Sequence, residues 1–193
     1  MSEDGRPRVL AVDDEPNVAK AYAIYLKEAY DVETATDGES ALAAVDDSID
    51  VVLLDRRMPD LTGDEVLRRL RDRGYDGQIA LITAVDPQLD VLELDCDLYL
   101  TKPVTKADLV EAVDQLVQVG QYDGRIREQF RLAQIRVAVE AGVDPSKLAT
   151  SEEYDALLER LAELSEQTEA VAELMHEETF AAAFRDLPDP SGT

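Results

Sequence analysis

Four short apolar segments of the chain each end on side chains that can do chemistry. The segments and the residues that follow them are Val9–Val12 with Asp13-Asp14, Val51–Leu54 with Asp55, Ile79–Ile82 with Thr83, and Leu98–Thr101 with Lys102-Pro103. A carboxylate at the end of a buried strand is a candidate nucleophile or metal ligand, although Asp55 taken alone fits a strand-ending turn equally well. Together these residues supply carboxylates, a hydroxyl and an ammonium, and the sequence therefore predicts one polar site.

The segments that must position these side chains have the pattern of a parallel α/β fold. Each is a short, continuous apolar run, which is typical of a strand buried on both faces of a sheet. Helical patterns separate them: Pro16 suits a first helical position, and Val66, Leu67 and Leu70 share one helix face. Because the carboxyl ends of parallel strands meet at one edge, where open α/β sheets bind ligands, we expect the polar residues to converge.

Residues 8–119 resemble the receiver domain of two-component response regulators. The resemblance matches Asp13-Asp14 to the family's acidic pair, Asp55 to its phosphate-accepting aspartate, Thr83 to its switch hydroxyl, Tyr99 to its switch aromatic, and Lys102-Pro103 to its lysine and following proline. The Met-Pro-Asp-x-x-Gly run after Asp55 also fits. The predicted fold class is therefore α/β, a doubly wound, flavodoxin-like sheet of five parallel strands in the order 2-1-3-4-5, followed by a small all-α helical hairpin.

The resemblance also implies a chemistry for the site. Asp55 is expected to accept a phosphoryl group from a sensor histidine kinase, with Lys102 contacting a phosphate oxygen. The implied cofactor is Mg²⁺, and its implied ligands are Asp13, Asp14, Asp55 and the backbone carbonyl of Arg57. An aspartyl-phosphate phosphatase would instead want a second acid where Arg57 stands. We therefore expect no enzyme activity beyond phosphorylation and dephosphorylation of the chain's own aspartate.

The implied switch uses Thr83 and Tyr99. The Thr83 hydroxyl is expected to donate to the new phosphoryl oxygens, and its movement to open space that Tyr99 can occupy. The bond between Lys102 and Pro103 is expected to be cis, as in the family.

The composition is strongly acidic. The 193 residues include 43 Asp plus Glu and 19 Lys plus Arg, for a formal net charge of −24. This balance resembles proteins of salt-in halophiles; the alternative is an acidic protein that avoids nucleic acid. No stretch approaches the ~20 apolar residues of a membrane span, and the N-terminus lacks a signal-peptide core. A single cysteine, Cys96, suits a reducing compartment, so we expect a cytoplasmic protein.

The region before the fifth strand departs from the receiver pattern. Thr83 and Lys102 lie 19 positions apart, which is shorter than usual by nearly one helical turn. A short or distorted fourth helix is therefore expected after Asp86-Pro87. Receivers often use that helix and the adjoining face to dimerise or to contact outputs.

A helical segment follows a short linker. The predicted boundaries are 8–119 for the receiver, 120–124 for the linker, 125–187 for the helical domain and 188–193 for a frayed tail. In the first helix, 125–141, the residues Ile126, Phe130, Ala133 and Val137 are expected on one face. A second helix, 152–176, carries an apolar seam that includes Leu157, Leu161 and Leu164. A receiver with such a tail resembles the haloarchaeal HalX architecture.

Two features of this tail leave alternatives open. The seam of helix 152–176 could pack within one chain or could form a homodimer. The arginines Arg125, Arg127, Arg131 and Arg136 could form a solvated, ion-paired face or a nucleic-acid surface, although the excess of acid does not indicate nucleic acid. The predicted function is therefore a phosphorylation switch whose helical output binds protein or dimerises; the alternative is a DNA-binding transcription regulator that uses residues 125–136.

Overall fold

A computed structural model describes residues 5–85, 87–122 and 124–172 of the chain, with side chains up to residue 165. Five parallel strands form one sheet in the order β2-β1-β3-β4-β5, as predicted. The strands are β1 (Arg8–Val12), β2 (Asp31–Ala35), β3 (Val51–Asp55), β4 (Gln78–Thr83) and β5 (Leu98–Thr101). The helices are α1 (Pro16–Leu26), α2 (Gly38–Ala44), α3 (Gly63–Asp72), α4 (Lys106–Gly120), α5 (Gly124–Gly142), α6 (Pro145–Leu148) and α7 (Glu152–Ala172), and a 3-10 helix, η1, spans Leu89–Glu93.

Local sequence signals account for where several of these elements begin. Pro16 occupies the first turn of α1, where its missing N–H costs no hydrogen bond. The Thr62 hydroxyl caps α3 by accepting from the backbone N–H of Glu65. Thr105 and Asp108 form a capping box at the start of α4, as the Thr-x-x-Asp spacing predicts.

The central strand β3 separates two apolar layers. Val51 and Leu53 face a layer covered by α1 and α4, whereas Val52 and Leu54 face a layer covered by α2 and α3. All four residues have no solvent-exposed surface. Side chains of a strand alternate between faces, so a continuous apolar run is what a strand covered by helices on both sides requires.

The layer that contains α2 and α3 is completed by a helix from the tail. Between β4 and β5 the chain forms only η1, within the residues described there, which agrees with the expected shortening. Helix α5 packs against β5 and η1. Ile135 and Val139 of α5 have 1% and 0% of their surface exposed, and they belong to the same cluster as Leu54 and Val91. The tail therefore covers the part of the sheet that a full-length fourth helix would otherwise cover.

The buried face of α5 differs from the expected one. Val137 is 43% exposed, whereas Phe130, Ile135 and Val139 are buried. The expectation came from the helical periodicity of residues 125–141 alone, which does not report the surface that each face meets. In the structure α5 contacts β5, η1 and α7, so the receiver also decides which of its side chains are buried.

Ion pairs fix α5 to the receiver. Arg127 lies 3.5 Å from Asp76, and Arg131 lies 2.5 Å from Asp95. Arg136 pairs with Glu140 within α5. Three of the four arginines named from the sequence, Arg127, Arg131 and Arg136, are therefore ion-paired.

Helix α7 packs along α5 within the same chain. Leu157 is buried in the cluster that contains Ile135, and Leu161 packs at its edge. Arg160 of α7 also pairs with Glu128 of α5 at 2.9 Å. The described part of the seam is therefore occupied within one chain, the first of the two alternatives. Residues 173–176 of the predicted helix and the predicted tail 188–193 lie outside the described residues.

A short helix between α5 and α7 was not expected. Helix α5 ends at Gly142, and Asp144 then caps α6 by accepting from the backbone N–H of Ser146. Across the described residues, no helix combines the length and the apolar character that a membrane crossing demands.

Candidate functional site

The carboxyl edge of the sheet brings together three of the predicted residues. Asp13 follows β1, Asp55 ends β3, and Lys102 follows β5. The Lys102 Nζ lies 2.7 Å from Asp13 Oδ2 and 2.7 Å from Asp55 Oδ1. Asp13 is 0% exposed and Asp55 is 4% exposed. The ammonium therefore bridges two buried carboxylates that lie on different strands.

Burial and this ammonium act on the site in opposite directions. Burial raises the pKa of Asp55, because a carboxylate loses hydration there, while Lys102 partly offsets that shift. For Lys102, burial disfavours the charged form, but hydrogen bonds to Asp13 and Asp55 outweigh it, and the pKa of Lys102 lies above its ordinary value.

The Lys102–Pro103 peptide bond is cis, as expected.

The residues proposed to hold Mg²⁺ lie around the same edge. Asp14 is half-buried beside Asp13, and the backbone N–H of Arg57 donates to Asp55 Oδ2 at 3.1 Å. Within the described ranges, no three acidic, histidine or cysteine side chains are arranged around one point as metal ligands. The available donors are nevertheless all carboxylate or carbonyl oxygens, which fit a hard cation that keeps several waters. The donor set therefore suits Mg²⁺. In the structure the Lys102 ammonium lies between two of these donors, Asp13 and Asp55.

The two predicted switch residues are buried next to the acidic edge. Thr83 has no exposed surface, and its Oγ1 accepts from the backbone N–H of Val85 at 3.2 Å. Tyr99 is 7% exposed, and its hydroxyl donates to the Val85 carbonyl at 3.3 Å. Burial raises the pKa of the Tyr99 hydroxyl, so it stays protonated as a donor. Both residues therefore bind the backbone of the same residue, Val85, in the loop after β4.

Arg56, which the sequence did not single out, lies at the centre of a further set of contacts. Its guanidinium donates to Asp64 of α3 at 2.9 Å, to Asp90 of η1 at 2.5 Å and to the Tyr99 hydroxyl at 3.2 Å. These partners are 8, 34 and 43 positions away along the chain. No local spacing signals such a network; the weak available cue is an arginine directly after the strand-ending acid.

Gly63 explains the glycine of the Met-Pro-Asp-x-x-Gly run. A Cβ on Gly63 would lie 2.3 Å from the backbone oxygen of Asp55. Helix α3 can therefore begin this close to the end of β3 only with glycine at that position, and the Gly63 N–H donates to the Arg56 carbonyl at 2.9 Å.

The family comparisons agree with this fold and edge. The family model described as the response regulator receiver domain matches residues 9–114, and the model described as the HalX domain matches residues 118–184. The chain thus has the architecture of a receiver followed by a HalX segment. It belongs to the response regulator receiver family.

Individual relatives share parts of this architecture. A "putative transcriptional regulator" of Haloferax volcanii is 40% identical over 84% of this chain, which corresponds to 28% of that protein. The "sensory transduction protein RegX3" of Mycobacterium tuberculosis is 36% identical over 60% of this chain and 52% of its own length. The chain therefore spans about half or less of these relatives. A solved receiver domain protein (CheY-like) from Methanospirillum hungatei JF-1 has a TM-score of 0.57 at 25% identity and covers 61% of this chain and 98% of its own.

Proposed function

We propose that the chain is a phosphorylation-controlled switch of a two-component relay, in which Asp55 accepts a phosphoryl group from a sensor histidine kinase. The observation that carries this proposal is the buried Asp55 carboxylate, 2.7 Å from the Lys102 ammonium at the ligand-binding edge of a receiver sheet. We also propose the boundaries 8–119 for the receiver, 120–124 for the linker and 125–187 for the helical domain. A cytoplasmic location fits a kinase partner and the single cysteine, which is buried.

The proposed reaction is an in-line transfer. One Asp55 carboxylate oxygen forms a bond to phosphorus, while the bond from phosphorus to the kinase's histidine nitrogen breaks and that nitrogen keeps the electron pair. A phosphoryl group brings negative charge to a buried carboxylate, so Lys102 would turn from Asp13 and Asp55 to a phosphoryl oxygen. Mg²⁺ held by Asp13, Asp14, Asp55 and the Arg57 carbonyl would supply further charge neutralisation. The chain's own chemistry is then limited to gaining and losing this one group.

The proposed switch begins at Thr83. Its hydroxyl would donate to the phosphoryl group, which moves Oγ1 relative to the Val85 N–H it now binds. Tyr99 binds the carbonyl of the same residue and would follow. The output is the α5–α7 hairpin, which would bind a protein partner. Homodimerisation through helix 152–176 is the alternative form of this output, but it would compete with α5 for Leu157.

The test of this function is phosphate incorporation into Asp55→Asn. Wild type should gain phosphate from acetyl phosphate with Mg²⁺, and Asp55→Asn should gain none, because an amide cannot attack phosphorus. Asp60→Asn is the matched control: it removes a carboxylate from the next loop, and asparagine tolerates the positive φ of 67° found there. Incorporation that persists in Asp55→Asn at the wild-type level would remove the assignment.

A DNA-binding transcription regulator is the second candidate. It is favoured by the name of the Haloferax volcanii relative, a "putative transcriptional regulator". The ion pairs of Arg127 and Arg131 with the receiver weigh against use of this helix face as a DNA contact. A DNA-binding assay at molar salt, run with and without a phosphoryl mimic, separates the two candidates; light scattering on the same samples reports a homodimer.

A further inference from the structure

Three hydrogen bonds, two of them joined through the backbone of Val85, lead from the switch hydroxyl to Arg56. Thr83 Oγ1 accepts from the N–H of Val85, and the carbonyl of Val85 accepts from the Tyr99 hydroxyl. The Tyr99 oxygen in turn accepts from Nη1 of Arg56 at 3.2 Å. Each contact joins a different element, so a shift at Thr83 changes the geometry on which the Arg56 contact depends.

Arg56 holds three elements together. Its side chain is 11% exposed, and its planar fork contacts α3 through Asp64, η1 through Asp90 and β5 through Tyr99. Its guanidinium carbon also lies 6.0 Å from the centre of the Tyr99 ring. Several fixed donors on one rigid group favour one arrangement of these partners, which a lysine could not enforce.

The 3-10 helix η1, which Arg56 contacts through Asp90, also contacts the tail. Both α5 and α7 pack against η1, and Val91 of η1 is fully buried in the cluster that contains Ile135 and Val139. A second contact lies at the end of α5, where a Cβ on Gly142 would be 2.8 Å from the Pro87 carbonyl. Helix α5 therefore touches the β4–β5 connection at both η1 and Pro87.

We propose that Arg56 is a positioning residue that transmits the phosphorylation state of Asp55 to the α5–α7 hairpin through Asp90 and η1. The proposal rests on the proposed function, since it needs a phosphoryl group at Asp55 that draws Thr83. A phosphoryl group accepts a hydrogen bond from the Thr83 hydroxyl in only one of its positions. Phosphorylation therefore favours the conformation of Val85, Tyr99 and Arg56 that is compatible with that position of Thr83. Because η1 also packs against α5 and α7, a shift in the conformation of η1 changes the packing of α5.

The test is hydrogen exchange of the full chain at molar KCl, without ligand and with beryllofluoride plus Mg²⁺ as the phosphoryl mimic. Wild type should show a several-fold change in exchange rate in peptides that cover η1 and α5. The change should vanish in Arg56→Gln and in Asp90→Asn. Arg68→Gln is the matched control, because Arg68 is an exposed arginine of α3 that pairs with Glu65 and Asp72, and it should keep the full change.

Loading and folding are measured in the same samples. Fluorine NMR reports bound beryllofluoride, and exchange of β1 and β3 amides reports the fold. If all variants load and Arg56→Gln keeps the wild-type change at α5, the inference is wrong while the proposed function stands. If wild type does not load, the proposed function and the inference both fail. Should Arg56→Gln unfold, Asp90→Asn decides alone, because the Asp90 side chain is 55% exposed and its loss leaves no cavity.

Discussion

At the scale of single residues, the site depends on one ammonium shared by two acids. Lys102 compensates the charge of Asp13 and Asp55, which are both buried. The identity of these residues could be predicted, because parallel strands bring their carboxyl ends to one edge and polar residues stand there. That Lys102 would lie between the acids could not be predicted, since three strands must be placed before the distance exists.

Removal of Lys102 should make the site depend on a cation. In Lys102→Ala, two buried carboxylates lose their partner, which should cost about 1–3 kcal/mol of unfolding free energy. Added Mg²⁺ should then raise the unfolding temperature by more than in wild type, because it supplies the missing positive charge. Calorimetry with and without Mg²⁺ at fixed ionic strength measures both effects.

The control for this change is Lys106→Ala, which removes an exposed lysine at the start of α4. It should leave both the stability and the response to Mg²⁺ at wild-type values. An equal response to Mg²⁺ in Lys102→Ala and wild type would contradict the view that Lys102 provides the site's compensating charge.

At the scale of elements, the short β4–β5 connection and the position of α5 belong together. The shortening could be predicted from the 19 positions between Thr83 and Lys102. The helix that compensates for it could not, because periodicity reports that a helix has an apolar face but not which surface meets that face. For that reason Val137 was expected inside and is 43% exposed, whereas Ile135 and Val139 are buried against the receiver.

Truncation of Ile135 should destabilise the receiver as well as the tail. Ile135→Ala removes a 1% exposed side chain from the cluster shared with Leu54 and Val91, which should cost about 2–5 kcal/mol. Because α5 completes that layer, unfolding at molar KCl should remain one transition at a lower midpoint. Val137→Ala, on the exposed face of the same helix, should change the midpoint little. Two separate transitions in Ile135→Ala, with the receiver's unchanged, would show that the receiver is independent of α5.

At the scale of the whole molecule, the charge sets the conditions under which the chain folds. A formal net charge of −24 on 193 residues opposes a compact state. Arginine ion pairs offset part of this locally, for instance Arg71 with the buried Asp97 at 2.6 Å. Among the residues whose side chains are described, most acids still face solvent, where added salt screens their repulsion.

Stability should therefore rise with salt. The screening length falls from about 10 Å at 0.1 M to about 3 Å at 1 M, which removes most repulsion between surface acids. The unfolding temperature should rise strongly from dilute buffer to molar KCl, by circular dichroism. Tetramethylammonium chloride at equal ionic strength separates screening from specific binding of potassium. A flat or falling curve in KCl would contradict the adaptation to salt that the composition indicates.

The packing of α5 against β5 and η1 also limits how the receiver can be recombined with other output domains. Many signalling proteins are treated as interchangeable modules, joined at a linker and swapped to obtain new responses. Here a graft made at residues 120–124 would remove α5 and expose Val91 of η1, which is buried in the same cluster as Ile135 and Val139, and apolar surface opened to water costs about 25 cal/mol per Å². A successful chimera would need a longer β4–β5 connection together with the new partner. The receiver and the helices that follow it should therefore be exchanged together.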